Sequence, residues 1–127
     1  VNTAVISLGS NINPRENIEK AVSFISLDHE LISKSDFIST KPVGYLCQPD
    51  FINGAVLIKT QADYDELNLY LKKLETRLGR VRTENKFGPR TIDLDIVVWN
   101  RRIVNDDFYE RGFIKNSVLK LIPDLEL

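Results

Sequence analysis

Asp93 and Asp95 stand two residues apart in the run IDLDIVVW over residues 92–99, and on a strand that spacing sends both carboxylates to the same face. Two like charges held that close repel each other unless a cation lies beside them. Mg²⁺ suits the position, because it takes oxygen ligands, keeps several waters and is commonly held by one or two carboxylates together with substrate phosphates. Immediately upstream the chain is basic. Lys72, Lys73, Arg77, Arg80, Arg82, Lys86 and Arg90 face only Glu75 and Glu84, a net +5. Guanidinium forks leading through Gly88 and Pro89 into a carboxylate pair offer phosphate oxygens both counter-charge and a metal. The expected chemistry is therefore that of a polyanion bound with a divalent ion. The competing account is a solvated helix face and an exposed edge strand.

A second constellation is aromatic. Phe51 and Asn53 share a strand face beside a long loop, an arrangement that can stack a planar ring and hydrogen-bond its edge. Phe113 follows Arg111 and Gly112 in a polar context. His29 has no metal-ligating neighbours in sequence, and Cys47 has no histidine partner to make it a nucleophile. Neither G-x-x-x-x-G-K-[ST] nor G-x-G-x-x-G occurs, so a nucleotide would have to be bound outside the P-loop and Rossmann motifs.

These side chains need elements to hold them. AVISL at residues 4–8 predicts a buried strand that leaves through Gly9, Ser10 and Asn11. Asn13, Pro14 and Glu16 predict a helix start with Asn13 as its cap, and Ile18, Ala21, Val22 and Ile25 carry an apolar face to about Leu27. Residues 31–40 predict a second strand and residues 41–50 (KPVGYLCQPD) a loop of functional length. Residues 51–60 predict a strand. A helix capped by Asp63 and Glu66 follows, striped by Leu67, Tyr70, Leu71, Leu74 and Leu78 and ended by Gly79. Residues 80–91 (RVRTENKFGPRT) predict a polar loop before the strand that bears the aspartates. A short strand near Ile103 and a helix over residues 115–121 complete the chain. The order βαββαβ predicts an α+β ferredoxin-like fold, an antiparallel sheet with two helices on one face.

At 127 residues, 43% hydrophobic and 28% charged, the chain has the size and composition of one globular domain, spanning residues 1–127. One cysteine allows no internal disulfide, and together with the absence of a signal-like or membrane-spanning apolar run this points to a cytoplasmic protein. With a net charge of −1, no nucleic-acid or membrane partner is indicated, and a monomer is expected. RNA-recognition modules share the βαββαβ order, but their aromatic-rich strand is missing and two aspartates would meet a phosphate backbone.

FGPRTIDLDIVVW, with SLGSN at residues 7–11 and QPDFINGAV at residues 48–56, resembles the 6-hydroxymethyl-7,8-dihydropterin pyrophosphokinases of folate biosynthesis, as a compact member, from about residue 3 to residue 113. The resemblance implies transfer of pyrophosphate from ATP to the pterin hydroxymethyl oxygen with release of AMP, using two Mg²⁺ ions on an αβα ferredoxin-like fold. By the same resemblance Asp93 and Asp95 hold the metals, Arg80 and Arg82 belong to a catalytic loop, and Arg90 contacts phosphate. Phe51 and Phe113 would sandwich the pterin, with Asn53, Thr40, Pro42, Val43 and Gly44 lining its edge and wall and Asn11 nearby. Arg80, Arg82, Lys86, Phe87, Arg90 and Arg111 would contact ATP. Only NDDFYE at residues 105–110 precedes Arg111, and no histidine follows His29, so the ATP-contacting histidine of that family has no counterpart. A catalytically weak pterin-binding paralogue, or a kinase for a related pterin, is the alternative this difference raises.

Overall fold

The computed structural model of the chain describes residues 1–42, 44, 47–79 and 91–126. Its centre is β1 (Asn2–Ser10), antiparallel to β4 (Phe51–Thr60) on one side and to β5 (Asp93–Trp99) on the other. Beyond β4 lies β2 (Glu30–Lys34), with β3 (Ile38–Thr40) pairing farther along the same strand. Beyond β5 lies the short β6 (Arg102–Ile103), which pairs only with Val98 and Trp99. The six strands are all antiparallel, in the order β2-β4-β1-β5-β6 with β3 beside β4, the expected ferredoxin-like sheet.

Helices α1 (Pro14–Asp28) and α2 (Tyr64–Arg77) cover one face. Ile6 lies between Val56 and Ile96 across three strands, and Leu8 pairs with Leu94. Against them pack Ile18, Ala21 and Ile25 from α1 and Leu67, Leu71 and Leu74 from α2. Each large aliphatic side chain buried there contributes roughly 1.5–3 kcal/mol. The cap expected for α2 is present: Asp63 Oδ1 accepts from the Glu66 N–H at 2.8 Å while Glu66 Oε1 accepts from the Asp63 N–H at 3.1 Å. The other face is covered by α3 (Asp107–Glu110) and α4 (Gly112–Leu121), which gives αβα layers.

Pairing slips between Val5 and Ile6, where Val98 opposes Val5 but Ile96 opposes Ile6. Val97 is the extra residue, and it and Val98 both join the second core with Phe108, Val118 and Ile122. Strict alternation in β5 therefore holds only as far as Ile96.

Three local expectations are corrected. Asn13 does not cap α1 with its side chain; it adopts a left-handed backbone (φ 41°), which Asn tolerates better than most residues, and so turns the chain into Pro14. The amide that serves this corner belongs to Asn17, whose Nδ2 donates to Ile12 O at 2.6 Å. The single strand expected over residues 31–40 is broken in two, because Ser35 donates its N–H to Ala55 O and accepts the Ala55 N–H on its hydroxyl, both at 2.9 Å. Just after it the Phe37 ring fills the space above Gly54 that any Cβ would occupy. The last helix begins at Gly112 instead of Lys115, so Phe113 rides on its first turn, and residues 107–110 are helical rather than a plain connection.

Candidate active site

The registers of β1, β4 and β5 lay out a small grid on the α4 face of the sheet. One row is Asn53, Gly9, Asp93, and the next is Ala55, Ser7, Asp95. Where the rest of this face carries Val5, Val97 and Val98, the grid carries glycine, serine and alanine, so the start of α4 cannot close onto the sheet. A cavity of about 250 Å³ remains. Ser7, Gly9 and Ala55 line it as a floor. Thr40, Phe51 and Asn53 stand on one side, Asp93 and Asp95 on the other, and Asp107, Arg111, Phe113 and Ser117 reach it from α3 and α4.

Gly9 is required by the grid itself. A Cβ built there would sit 2.5 Å from Asn53 Oδ1, so any larger residue displaces the amide. Asn53 Nδ2 in turn donates to the Thr40 hydroxyl, which joins β3 to β4 at the cavity wall and leaves a paired, oriented polar edge. Phe51 pairs with Thr40 in the register and shares the Asn53 face, and Phe113 reaches the cavity from α4. This half suits a flat, hydrogen-bonding heteroaromatic ring.

The other half is charged. Burial first, then Asp93 and Asp107, push the Asp95 carboxyl above the usual carboxylate range, while Lys72 opposes the shift. The Lys72 ammonium donates to Leu94 O at 2.8 Å and lies 3.2 Å from Asp95 Oδ1 and 3.3 Å from Glu75 Oε2. Glu75 is buried, and its Oε2 accepts the Leu94 N–H at 2.7 Å. Arg111 Nε lies 3.7 Å from Asp107 Oδ1, so the four-residue α3 delivers a paired guanidinium to the cavity. Among the described residues no group of three or more His, Cys, Asp or Glu side chains is set to hold a metal alone. The Asp93 and Asp95 carboxylates, side by side on the cavity wall, fit Mg²⁺ that completes its shell with water and phosphate oxygens.

Of the residues expected from sequence, Thr40, Phe51, Asn53, Asp93, Asp95, Arg111 and Phe113 line this one cavity. Asn11, Pro42 and Gly44 do not line it. Pro42 is buried, and Gly44 is exposed at φ 84°. The buried Asn11 donates from Nδ2 to Gln48 Oε1 at 2.7 Å and Pro49 O at 3.0 Å, which anchors the loop leading into β4. Val43, Arg80, Arg82, Lys86, Phe87 and Arg90 lie outside the described residues. Sequence reasoning missed Lys72 and Glu75, visible there only as an i, i+3 pair within the basic run, and Ser7, Asp107 and Ser117 in the cavity wall. Among the described residues no helix is long and apolar enough to cross a membrane.

A family model described as 7,8-dihydro-6-hydroxymethylpterin-pyrophosphokinase matches residues 5–123. The chain is 35% identical to a 2-amino-4-hydroxy-6-hydroxymethyldihydropteridine pyrophosphokinase of Haemophilus influenzae, over 98% of this chain and 84% of that protein. It is also 35% identical to the protein of that name in Bacillus subtilis, over 98% of this chain and 81% of the relative. A folate synthesis bifunctional protein of Arabidopsis thaliana is 34% identical over 95% of this chain, which spans 26% of that longer protein.

Proposed function

The chain belongs to the 7,8-dihydro-6-hydroxymethylpterin-pyrophosphokinase family, and from that premise we propose how its cavity carries out the transfer. The enzyme is an ATP-dependent pyrophosphokinase of folate biosynthesis: it moves the pyrophosphoryl group of ATP to the hydroxymethyl oxygen of 6-hydroxymethyl-7,8-dihydropterin and releases AMP. The observation that carries the residue assignments is the division of one cavity into a ring-binding half and an anionic half, separated only by the floor of Ser7, Gly9 and Ala55.

Phe51 and Phe113 hold the pterin ring between them, and the Asn53 amide, oriented by Thr40, reads its hydrogen-bonding edge. That pose points the hydroxymethyl group toward Asp93 and Asp95. The two carboxylates would hold two Mg²⁺ ions, which would supply charge neutralisation of the triphosphate and Lewis-acid polarisation of the transferred phosphoryl group. Arg111 directs its guanidinium to phosphate oxygens, and Arg80, Arg82, Lys86, Phe87 and Arg90 complete the ATP contacts. A bond forms between the hydroxymethyl oxygen and the β-phosphorus, the bond from that phosphorus to the α–β bridging oxygen breaks, AMP leaves with that oxygen, and the hydroxyl proton passes to solvent water. Nothing in this step requires a protein nucleophile; it requires alignment and charge. We place the enzyme in the cytoplasm, where ATP is at hand, acting as a monomer on its two small substrates.

The test is AMP release from ATP and Mg²⁺ by the 127-residue chain, with and without the hydroxymethyl dihydropterin. Pterin-dependent AMP is expected. Pterin binding without AMP release would favour a weak paralogue, and the segment of residues 105–110, without histidine and helical only over Asp107–Glu110, would be the first place to look.

A further inference from the structure

We infer that Lys72 is a resident counter-cation of the anionic half, which opposes free Mg²⁺ at Asp95 until a polyphosphate arrives with it. This rests on the assignment of Asp93 and Asp95 to the metal. Lys72 belongs to α2, on the opposite side of the sheet from the cavity, yet its ammonium reaches the edge of β5 at Leu94. There it meets three acceptors: Leu94 O at 2.8 Å, Asp95 Oδ1 at 3.2 Å and Glu75 Oε2 at 3.3 Å. An ammonium has three N–H donors, so the head group is fully engaged.

Two of those acceptors are fixed. Leu94 O is backbone of a paired strand, and the buried Glu75 carboxylate is itself held by the Leu94 N–H at 2.7 Å. The positive charge is therefore tied down by groups that do not belong to the metal, and Asp95 lies against it. An ion arriving at Asp95 alone meets a like charge a few ångströms away that cannot easily leave. An ion arriving with a triphosphate brings enough negative charge to reverse that balance, and the same ammonium then becomes favourable. The arrangement couples metal binding to nucleotide binding by electrostatics, with no moving part.

The test is calorimetric titration of the full chain with MgCl₂ and separately MnCl₂, first without nucleotide and then with a non-hydrolysable ATP analogue. Lys72→Gln and Lys72→Met should bind free metal roughly tenfold more tightly than the parent, as expected from removing one nearby charge, and the analogue should strengthen metal binding less in these variants. Lys72→Arg, which keeps the charge, should stay close to the parent. Unchanged metal affinity without nucleotide in a folded Lys72→Gln or Lys72→Met protein would overturn the inference. Asp95→Asn separates this from the premise. If Asp95→Asn weakens metal binding while the Lys72 variants leave it unchanged, only the role of Lys72 falls; if Asp95→Asn leaves it unchanged, the metal assignment falls and the inference with it.

Discussion

The two faces of β5 come from alternate residues of one short strand and do opposite work. Leu94 and Ile96, with Ile92 just before the strand, pack into the closed layer beneath α1 and α2, where facing positions are large and apolar. Asp93 and Asp95 face α4 across a floor of Ser7, Gly9 and Ala55, where small residues leave the sheet uncovered. Stability is drawn from the first face, and the second concentrates like charge, with burial and Asp93 raising the Asp95 carboxyl against the opposing Lys72 ammonium. A functional site on a packed sheet is thus made by omission: smaller side chains in the middle strands and like charges on their neighbour.

Substitutions on the two faces should separate cleanly. Asp95→Ala should lower kcat by about a thousandfold or more, through loss of charge stabilisation worth several kcal/mol, with little change in unfolding free energy because the cost of burying this carboxylate beside Asp93 offsets its contact with Lys72. Steady-state AMP release and a urea melt on the same protein check both halves of that statement. Leu94→Ala, one residue away, should do the reverse in kind and cost about 2–5 kcal/mol of stability by opening a cavity in the closed layer. Ala21→Leu and Ala55→Leu sharpen the contrast with one chemical change. On α1 the extra atoms have nowhere to go and should cost about 1–3 kcal/mol, whereas Ala55→Leu fills existing space, changes stability by less than about 1 kcal/mol and weakens pterin binding about tenfold. Urea midpoints and pterin calorimetry distinguish them.

The smallest effect expected lies at the rim of the closed layer. His29 shares a hydrogen bond with Thr60 through Nδ1 and Oγ1 at 2.8 Å, sets its ring edge-on to Tyr70, and buries Nε2 with no hydrogen-bond partner among the described residues. Burial lowers its affinity for a proton in the folded state below the ordinary value of 6.5, with Asp28 opposing. The unfolded chain then binds the proton more readily, so this contribution to stability is complete above 6.5 and is lost as the pH falls below it. Replacing His29 by Gln should flatten the acid side of the stability profile. The histidine is the only one in the chain, so its ring resonances report the shift without assignment ambiguity.

Much of this is legible in the amino-acid sequence, and the reasons differ from place to place. Asp93 and Asp95 could be assigned to one face because strand alternation is a local property that survives until the slip at Val97. The Asp63–Glu66 cap could be read because both partners lie within one turn. Asn13 stands at the cap position before Pro14 as its type and spacing indicate, but its left-handed backbone leaves the side chain without a capping hydrogen bond, a detail that depends on the corner held by Asn17 and Ile12. The break at Ser35 depends on Ala55, twenty positions away, whose N–H takes the serine hydroxyl in place of a strand partner. Lys72 could not be distinguished from its basic neighbours, since its role depends on α2 lying close enough to β5 for an ammonium to reach Leu94 O. Signals carried within a turn or a strand were readable; those that needed two distant segments side by side were not.

The hold of α2 on Leu94 also bears on how the molecule behaves in a crowd. β6 accompanies β5 only at Val98 and Trp99, and a strand edge with free amide and carbonyl groups is a template onto which another chain can add. At Leu94 both groups are already taken, the N–H by Glu75 and the C=O by Lys72. A foreign strand would have to break a buried carboxylate contact and an ammonium contact before gaining its first hydrogen bond. The stretch of sheet that most needs to stay open to small ligands is by this means closed to other polypeptides.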